Sequence, residues 1–257
     1  MITAYRIPKI LLCLSALLFF PITAHSQSNV FQKGVNAVKE FFKGDKSDTK
    51  QEDDTTPKVT QKKASVGSSK ASPSNDYSLE QLYDLSLDEN LVVPKLGNAR
   101  NNIKAYQLTQ ARKLVAGGQK NVETMRNGEV IVATIASDDL FYPNDTVLKP
   151  NAGKHLRPFL QFLNVPDMYR MLLAMHSDDT GTEAYTDVLT SSRVLAVLEW
   201  FQQNAASSDY IIPYAMGASE PLRLNNSVNN RMKNRRLEIY LVPGKTMIDL
   251  SSKGKLQ

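Results

Sequence analysis

The sequence predicts an α+β domain, a mixed β-sheet with helices packed on one face, preceded by a disordered linker and short helices. Three observations carry this. Beyond residue 120, short β-rich runs alternate with longer segments of helical periodicity, the pattern of strands separated by helices. Two of those runs flank Asn127-Gly128, a hairpin signal, so one strand pair is antiparallel. Val194, Val197, Leu198 and Phe201 recur on one helical face, which sets a helix apolar side down on the sheet.

Taken in order, the chain opens on an address label. Arg6 and Lys9 precede an apolar run from Ile10 to Phe20, and Ala24-His25-Ser26 offers small residues for cleavage, so residues 1–26 read as a signal peptide. The run is short for a bilayer span and Pro21 closes it, which leaves an uncleaved anchor as the weaker reading. Cys13 follows Leu12 rather than a small residue and is read as filler in the leader. Because the chain has 1 cysteine, the rest has no disulfide, thiol nucleophile or zinc–thiolate site. The formal charge of +5 includes Arg6 and Lys9, and what remains is too mildly basic to indicate a nucleic-acid partner.

Residues 27–43 form a short amphipathic segment, with Val30, Val35, Val38 and Phe42 roughly on one face. It reads as an interfacial helix or, better, as a short helix that packs on the domain, since it is short for isolated helicity and Gly34 weakens it. Residues 44–76 mix both charges with almost no large apolar side chains, and such a composition cannot repay ordering entropy, so a disordered linker is expected. Residues 77–127 are a helical lead-in, with Ser78 as a cap, a helix from Asn98 to Val115 ended by Gly117-Gly118, and the first strand of the hairpin.

The domain proper spans 128–243. Val130 to Ile135 is a strand. Asn151 to Phe162 is a helix, with Leu156, Phe159, Leu160 and Leu163 towards the core. Tyr169 to Met175 is a buried strand, about Ser191 to Asn204 a second helix, and Tyr210 to Tyr214 a strand whose Pro213 marks an edge or an end. The last strand runs from Arg235 to Val242, with Arg236 and Glu238 on the face opposite Leu237 and Ile239. Residues 244–257 read as a polar tail.

The chemistry concentrates between Met175 and Arg193. Thr190 is the expected N-cap of the second helix, with Ser191 and Ser192 as register alternatives. Arg193 then occupies the third helical position, where a cation opposes the helix dipole, and a residue set against local preference points to function. Free N–H groups, the dipole and a guanidinium together make a carboxylate pocket. Asp178, at the strand's end, folds back towards it through the loop containing Gly181. One anion beside one cation suits a zwitterion. Taken alone, Asp178 is an ordinary turn residue, and Asn144, Asn234 and Arg235 are as readily turn or edge residues as pocket lining. His176 beside Asp178 and Asp179 lacks the spacing of a metal motif and reads as a structural histidine, so no metal is expected. With no nucleophile elbow, phosphate-cradling glycine loop or nucleophile with an evident base, neither a catalytic residue nor a cofactor is expected.

Four segments carry a resemblance. Ser177-Asp178-Asp179-Thr180-Gly181, Tyr185-Thr186, Leu189-Thr190 and Arg193-Val194 follow the pattern T-D-x-x-G-x-x-x-Y-N-x-x-L-S-x-x-R-A. Leu140-Phe141 through Leu148-Lys149-Pro150 matches an L-F…L-K-P opening, Gly217-Ala218-Ser219-Glu220-Pro221 a G-x-S-x-P turn, and Asn234-Arg235-Arg236-Leu237-Glu238-Ile239 an N-R-R-V-E-I strand. In this the chain resembles the OmpA-like peptidoglycan-binding domain over about residues 128–243. The resemblance implies that Asp178 and Arg193 grip the diaminopimelate of the wall peptide; Ser177, Thr186, Asn144, Asn234 and Arg235 are the further candidates for lining the site. Met175 stands where the family has Gly, Ser177 for Thr, and Thr186 for Asn; the last loses an amide that donates and accepts at once. The implied function is a periplasmic anchor that holds the outer membrane or an envelope complex to peptidoglycan without covalent chemistry, with residues 27–127 facing an outer-membrane or envelope-complex protein. The alternatives are the wall-anchoring subunit of a secretion, motility or motor-stator machine, and a wall hydrolase, against which the missing catalytic set argues.

Overall fold

The computed structural model describes residues 77–93 and 96–256. The signal peptide, the amphipathic segment 27–43 and the linker 44–76 expected from the sequence lie outside the described residues.

Five strands, β1 (Val122–Met125), β2 (Val130–Ala136), β3 (Tyr169–His176), β4 (Ile211–Ala215) and β5 (Arg236–Pro243), form one sheet in the order β1-β2-β5-β3-β4. β3 and β4 run parallel and every other pair is antiparallel, so the sheet is mixed, as expected. The helices among the described residues are α1 (Leu79–Asp84), α2 (Leu87–Asn90), α3 (Arg100–Ala116), α4 (Ser137–Leu140), α5 (Gly153–Leu156), α6 (Glu183–Asn204), α7 (Val228–Asn234) and α8 (Lys245–Ser252). The hairpin forms at Asn127-Gly128, where Arg126, Asn127 and Gly128 take φ of 51°, 59° and 87°. Asn and Gly are the residues that adopt this left-handed region at least cost. Pro213 lies on β4, an edge of the sheet, where a missing N–H does no harm.

The main helical layer covers one face. Ile103 and Leu114 of α3, Leu156, Phe159, Val197 and Phe201, and Met247 of α8 close over Ile131, Leu173 and Ile239 of the sheet. The other face is not left to solvent. Leu82, Leu87 and Leu91 of the α1–α2 segment pack on Leu172, Ala174, Ile212 and Val242, so a second, smaller layer is added to the one expected. The reason is legible in β3, whose Met171-Leu172-Leu173-Ala174 is apolar on both faces and needs cover on both. Capping boxes at Ser78 and Ser86 start these two short helices, and buried Asn90 ties them down by donating to Leu82 O and Tyr214 Oη.

Three local differences from the sequence reading have physical causes. The long helix starts at Glu183, not near Ser191, because Thr182 caps it by accepting from Tyr185 N at 3.2 Å. Thr190, expected as the cap, lies inside, and Thr186 and Thr190 are accommodated by donating their hydroxyls to the carbonyls of Glu183 and Thr186 at 2.9 Å each. The helix expected over Asn151 to Phe162 is one α-turn followed by a 3-10 helix over Arg157–Leu163, since Pro158 has no N–H for an α-helical ladder. Past Pro243, where a polar tail was expected, the chain makes α8, with Met247 fully buried and Ser251 Oγ donating to Ala99 O at 3.0 Å.

If α8 belongs to the core, Met247→Ala should lower unfolding stability by about 2–5 kcal/mol, the usual range for emptying a buried site. Urea denaturation measures it; a loss no larger than that of an exposed α8 substitution would contradict this packing.

Candidate functional site

The site forms where β3 ends and β5 begins. Asp178 lies two residues past β3, almost completely buried, and Arg235 immediately precedes β5. Arg235 Nη1 donates to Asp178 Oδ2 at 2.6 Å, and its Nη2 lies 3.3 Å from Asp138 Oδ2. Thr180 N donates to Asp178 Oδ1 at 2.9 Å. Burial alone would raise the pKa of Asp178, but the hydrogen bonds from Arg235 and Thr180 outweigh it and hold the carboxyl below its ordinary value. Burial likewise disfavours charge on Arg235, and the two carboxylates more than reverse that. Arg235 keeps 28% of its side chain exposed and Asp138 half, so the cluster opens to solvent on this side.

Arg193 does not stand where the sequence reading set it. It lies roughly three turns beyond the start of α6, so no free helix N–H groups surround it, and the expected dipole pocket beneath it is absent. Its guanidinium is buried and committed. Nε donates to Asp145 O at 2.8 Å, Nη1 to Ser137 Oγ at 3.1 Å and Nη2 to Tyr142 O at 3.1 Å, while its carbon lies 4.9 Å from the centre of the Phe141 ring. The partner of Asp178 is therefore Arg235. Arg193 remains in the neighbourhood, since Asp138 and Arg235 both act on its charge. What it does visibly is clamp the segment from Ser137 to Asp145.

The other expected residues divide. Ser177 Oγ donates to Asp178 O, and Ser177 N to Gly217 O at 2.7 Å, so this residue ties the strand end to the next turn. Thr186 is buried with its hydroxyl spent within α6, and it borders a cleft of about 280 Å³ lined also by Asp179, Gly181, Asp187 and Ser219. Asn144, at φ 57°, accepts from Tyr185 Oη at 3.2 Å, which links the 142–145 loop to the first turn of α6. Asn234 is fully buried at the end of α7, not at a strand start, and its amide is used wholly on Arg223 and Asn225. Asp138 and Ser137 were missed. The signal for Asp138 is the acid pair Asp138-Asp139 directly after a strand. Gly217 takes φ 51°, and a Cβ there would meet Asp187 Oδ1 at 2.2 Å; its N–H donates to Thr190 Oγ1 at 3.1 Å, locking the 216–221 turn onto α6.

Beneath the site, on the face opposite Leu237 and Ile239, β5 carries a buried polar row. Arg236 Nε donates to Glu238 Oε1 at 2.7 Å, Tyr240 Oη donates to Glu238 Oε2, and His176 Nε2 lies 3.3 Å from Glu238 Oε2. The histidine contact is electrostatic rather than an aligned hydrogen bond, because neither ring nitrogen has a well-directed partner. His176 is thus a buried histidine packed beside Glu238. Burial pushes Glu238 up, yet its contacts with His176, Tyr240 and Arg236 outweigh this and bring it down from 4.5 to about 2.

Comparison with known proteins shows what part of the chain is similar to. Residues 140–235 match the model of the OmpA family. Over 106 residues the chain is 26% identical to Outer membrane protein A of Bordetella avium, covering 41% of this chain and 55% of that protein. Over 98 residues it is 26% identical to the peptidoglycan-associated lipoprotein of Buchnera aphidicola, covering 38% and 57%. The chain thus spans little more than half the length of the curated relatives it matches. Among solved structures, the cell wall anchor of the T6SS from Pseudomonas aeruginosa aligns with a TM-score of 0.46 and 22% identity, over 52% of this chain and 96% of that one.

Stability should follow pH in a defined sense. Glu238 titrates lower in the folded chain than in the unfolded one, so its contribution is complete above 4.5 and is lost as pH falls towards about 2. Asp178 shifts in the same direction. Urea midpoints of wild type should fall from about pH 5 to about pH 2.5, and Glu238→Gln should flatten that slope. An unaltered slope in the variant would contradict the assignment.

Proposed function

We propose, from the match of residues 140–235 to the OmpA family, that the protein is a non-enzymatic anchor that grips peptidoglycan in the periplasm. The ligand group is the zwitterionic end of a diaminopimelate side chain. The observation that carries the reading is the half-open cluster of Asp178, Arg235 and Asp138. Its charges alternate over a few ångströms, which suits an ammonium and a carboxylate borne on one carbon. The ammonium is received by Asp178 and Asp138, and the carboxylate by the planar fork of Arg235.

This revises the grip implied by resemblance. Arg193 acts from behind, holding the Ser137–Asp145 segment in place and adding positive charge, while Arg235 faces the ligand. Ser177, Thr186, Asn144 and Asn234 support the loops rather than reach the ligand, because their polar atoms are engaged within the protein. In the unliganded protein the internal ion pair keeps Asp178 from standing buried and unpaired. The incoming zwitterion exchanges for it, and Arg235 never lacks an anion. The names of the relatives, an outer membrane protein and a peptidoglycan-associated lipoprotein, support an envelope location. Since α1 and α2 are packed into the domain, the tether to the outer membrane or an envelope complex is assigned to the chain before residue 77.

Each lost charge-assisted contact costs about 1.5–3 kcal/mol, roughly a ten- to hundredfold loss of affinity. Calorimetric titration of a diaminopimelate-containing muropeptide should show that loss in Asp178→Ala and in Arg235→Ala, with both variants still folded. Arg193→Lys should lower the melting temperature as well as affinity, because an ammonium cannot hold three loop acceptors at once. Unchanged affinity in folded Asp178→Ala and Arg235→Ala would sink the assignment.

A further inference from the structure

The chain from Pro221 through α7 presents a surface that the wall-peptide site does not use. Leu222, Leu224, Val228 and Met232 are 54%, 75%, 64% and 46% exposed, and Leu224 is the most exposed large hydrophobic among the described residues. Val228 and Met232, one helical turn apart on α7, share a face. The exposure is built in. Buried Asn234 accepts from Arg223 N at 2.9 Å and donates to Arg223 O and Asn225 Oδ1 at 2.7 Å each, and Arg231 donates to Asn225 O at 2.9 Å. With the backbone of Arg223 pinned at both its N–H and its C=O, Leu222 and Leu224 on either side are held outside. A slack loop would have folded them in, because leaving large aliphatic side chains in water is unfavourable.

The charge carried by this stretch of chain has one sign. From Pro221 to Leu237 the chain carries Arg223, Arg231, Lys233, Arg235 and Arg236 and no acidic residue. Arg235 and Arg236 are paired with carboxylates from elsewhere, whereas Arg223 and Lys233 form no ion pair among the described residues. We propose that this surface docks on an anionic phospholipid bilayer. Leu222, Leu224, Val228 and Met232 enter the boundary between headgroups and acyl chains, and Arg223, Arg231 and Lys233 meet the phosphates. Cations edging protruding aliphatics reproduce the layering of a lipid surface. A second copy of the chain fits poorly, since a two-fold contact would set these cations against themselves. A protein partner fits less well than lipid, since protein interfaces favour aromatic residues and this patch has none.

The proposal does not rest on the wall-binding reading, and its test reads out locally. In the full chain carrying Cys13→Ser and Val228→Cys, an environment-sensitive dye on residue 228 reports insertion at this surface. Its emission should rise and shift to the blue with phosphatidylglycerol-containing vesicles and not with phosphatidylcholine alone. Arg223→Gln with Lys233→Gln should raise the lipid concentration needed by roughly tenfold or more. The same dye at Val115→Cys on α3 should stay in a water-like environment. No response at 228 on any vesicle would overturn the proposal, as would equal responses to both vesicle types or an equal response at 115. Photo-crosslinking of residue 228 to an envelope protein, without a vesicle response, would assign the surface to that protein and overturn the lipid assignment. Retention of the Arg223→Gln, Lys233→Gln variant on purified sacculi reports separately on wall binding.

Discussion

Strand β5 is hydrogen-bonded to β2 on one side and β3 on the other, and all eight of its residues are buried. Much of the rest follows from that position. A strand paired on both edges and covered on both faces cannot slip in register, because a shift of one residue would turn Leu237, Ile239 and Leu241 out of the core. Its start is therefore fixed, and with it Arg235 one residue earlier. His176 pairs with Arg236 across the ladder, so Asp178 leaves β3 beside Arg235. The ion pair of the site is a consequence of sheet register rather than of a flexible loop finding its partner.

The polar row beneath the site obeys the same constraint. Arg236, Glu238 and Tyr240 share the face opposite the main core, where three buried polar side chains are tolerable only because they satisfy one another. Next to them, α1 and α2 cover the apolar half of that face. Arg193 solves a related problem on the other side. Its guanidinium meets three acceptors in the segment that connects β2 to α5, which fixes a stretch containing only a short helix of its own.

Much of the fold could be read from the sequence, because period-two and period-3.6 apolar patterns determine burial directly. The hairpin at Asn127-Gly128, the cap at Ser78, β3, β4 with its edge proline, and β5 were all legible in that way. Features that depend on competition between equivalent local choices were not. Thr182, Thr190, Ser191 and Ser192 are all acceptable caps, and α6 takes the earliest because hydroxyls inside a helix can bond back to its carbonyls. That extension moved Arg193 away from a helix terminus and reversed the argument built on it. Asp178 was named with Arg193 as its expected cation and Arg235 only as possible lining; the pairing of Asp178 with Arg235 depends on strand order, which spacing along the chain does not encode. The approach of Asp138 to Arg235 depends on the same strand order.

In the proposed grip, the free end of diaminopimelate, carrying both an ammonium and a carboxylate, exchanges for the Asp178–Arg235 ion pair. Two stem peptides that differ only in their third residue, diaminopimelate in one and lysine in the other, isolate that claim, since lysine keeps the ammonium and lacks the carboxylate. Titrated calorimetrically into the wild-type protein, the diaminopimelate peptide should bind about tenfold or more tightly, as expected for one charge-assisted hydrogen-bonded contact to Arg235. Equal affinity for the two peptides would contradict it.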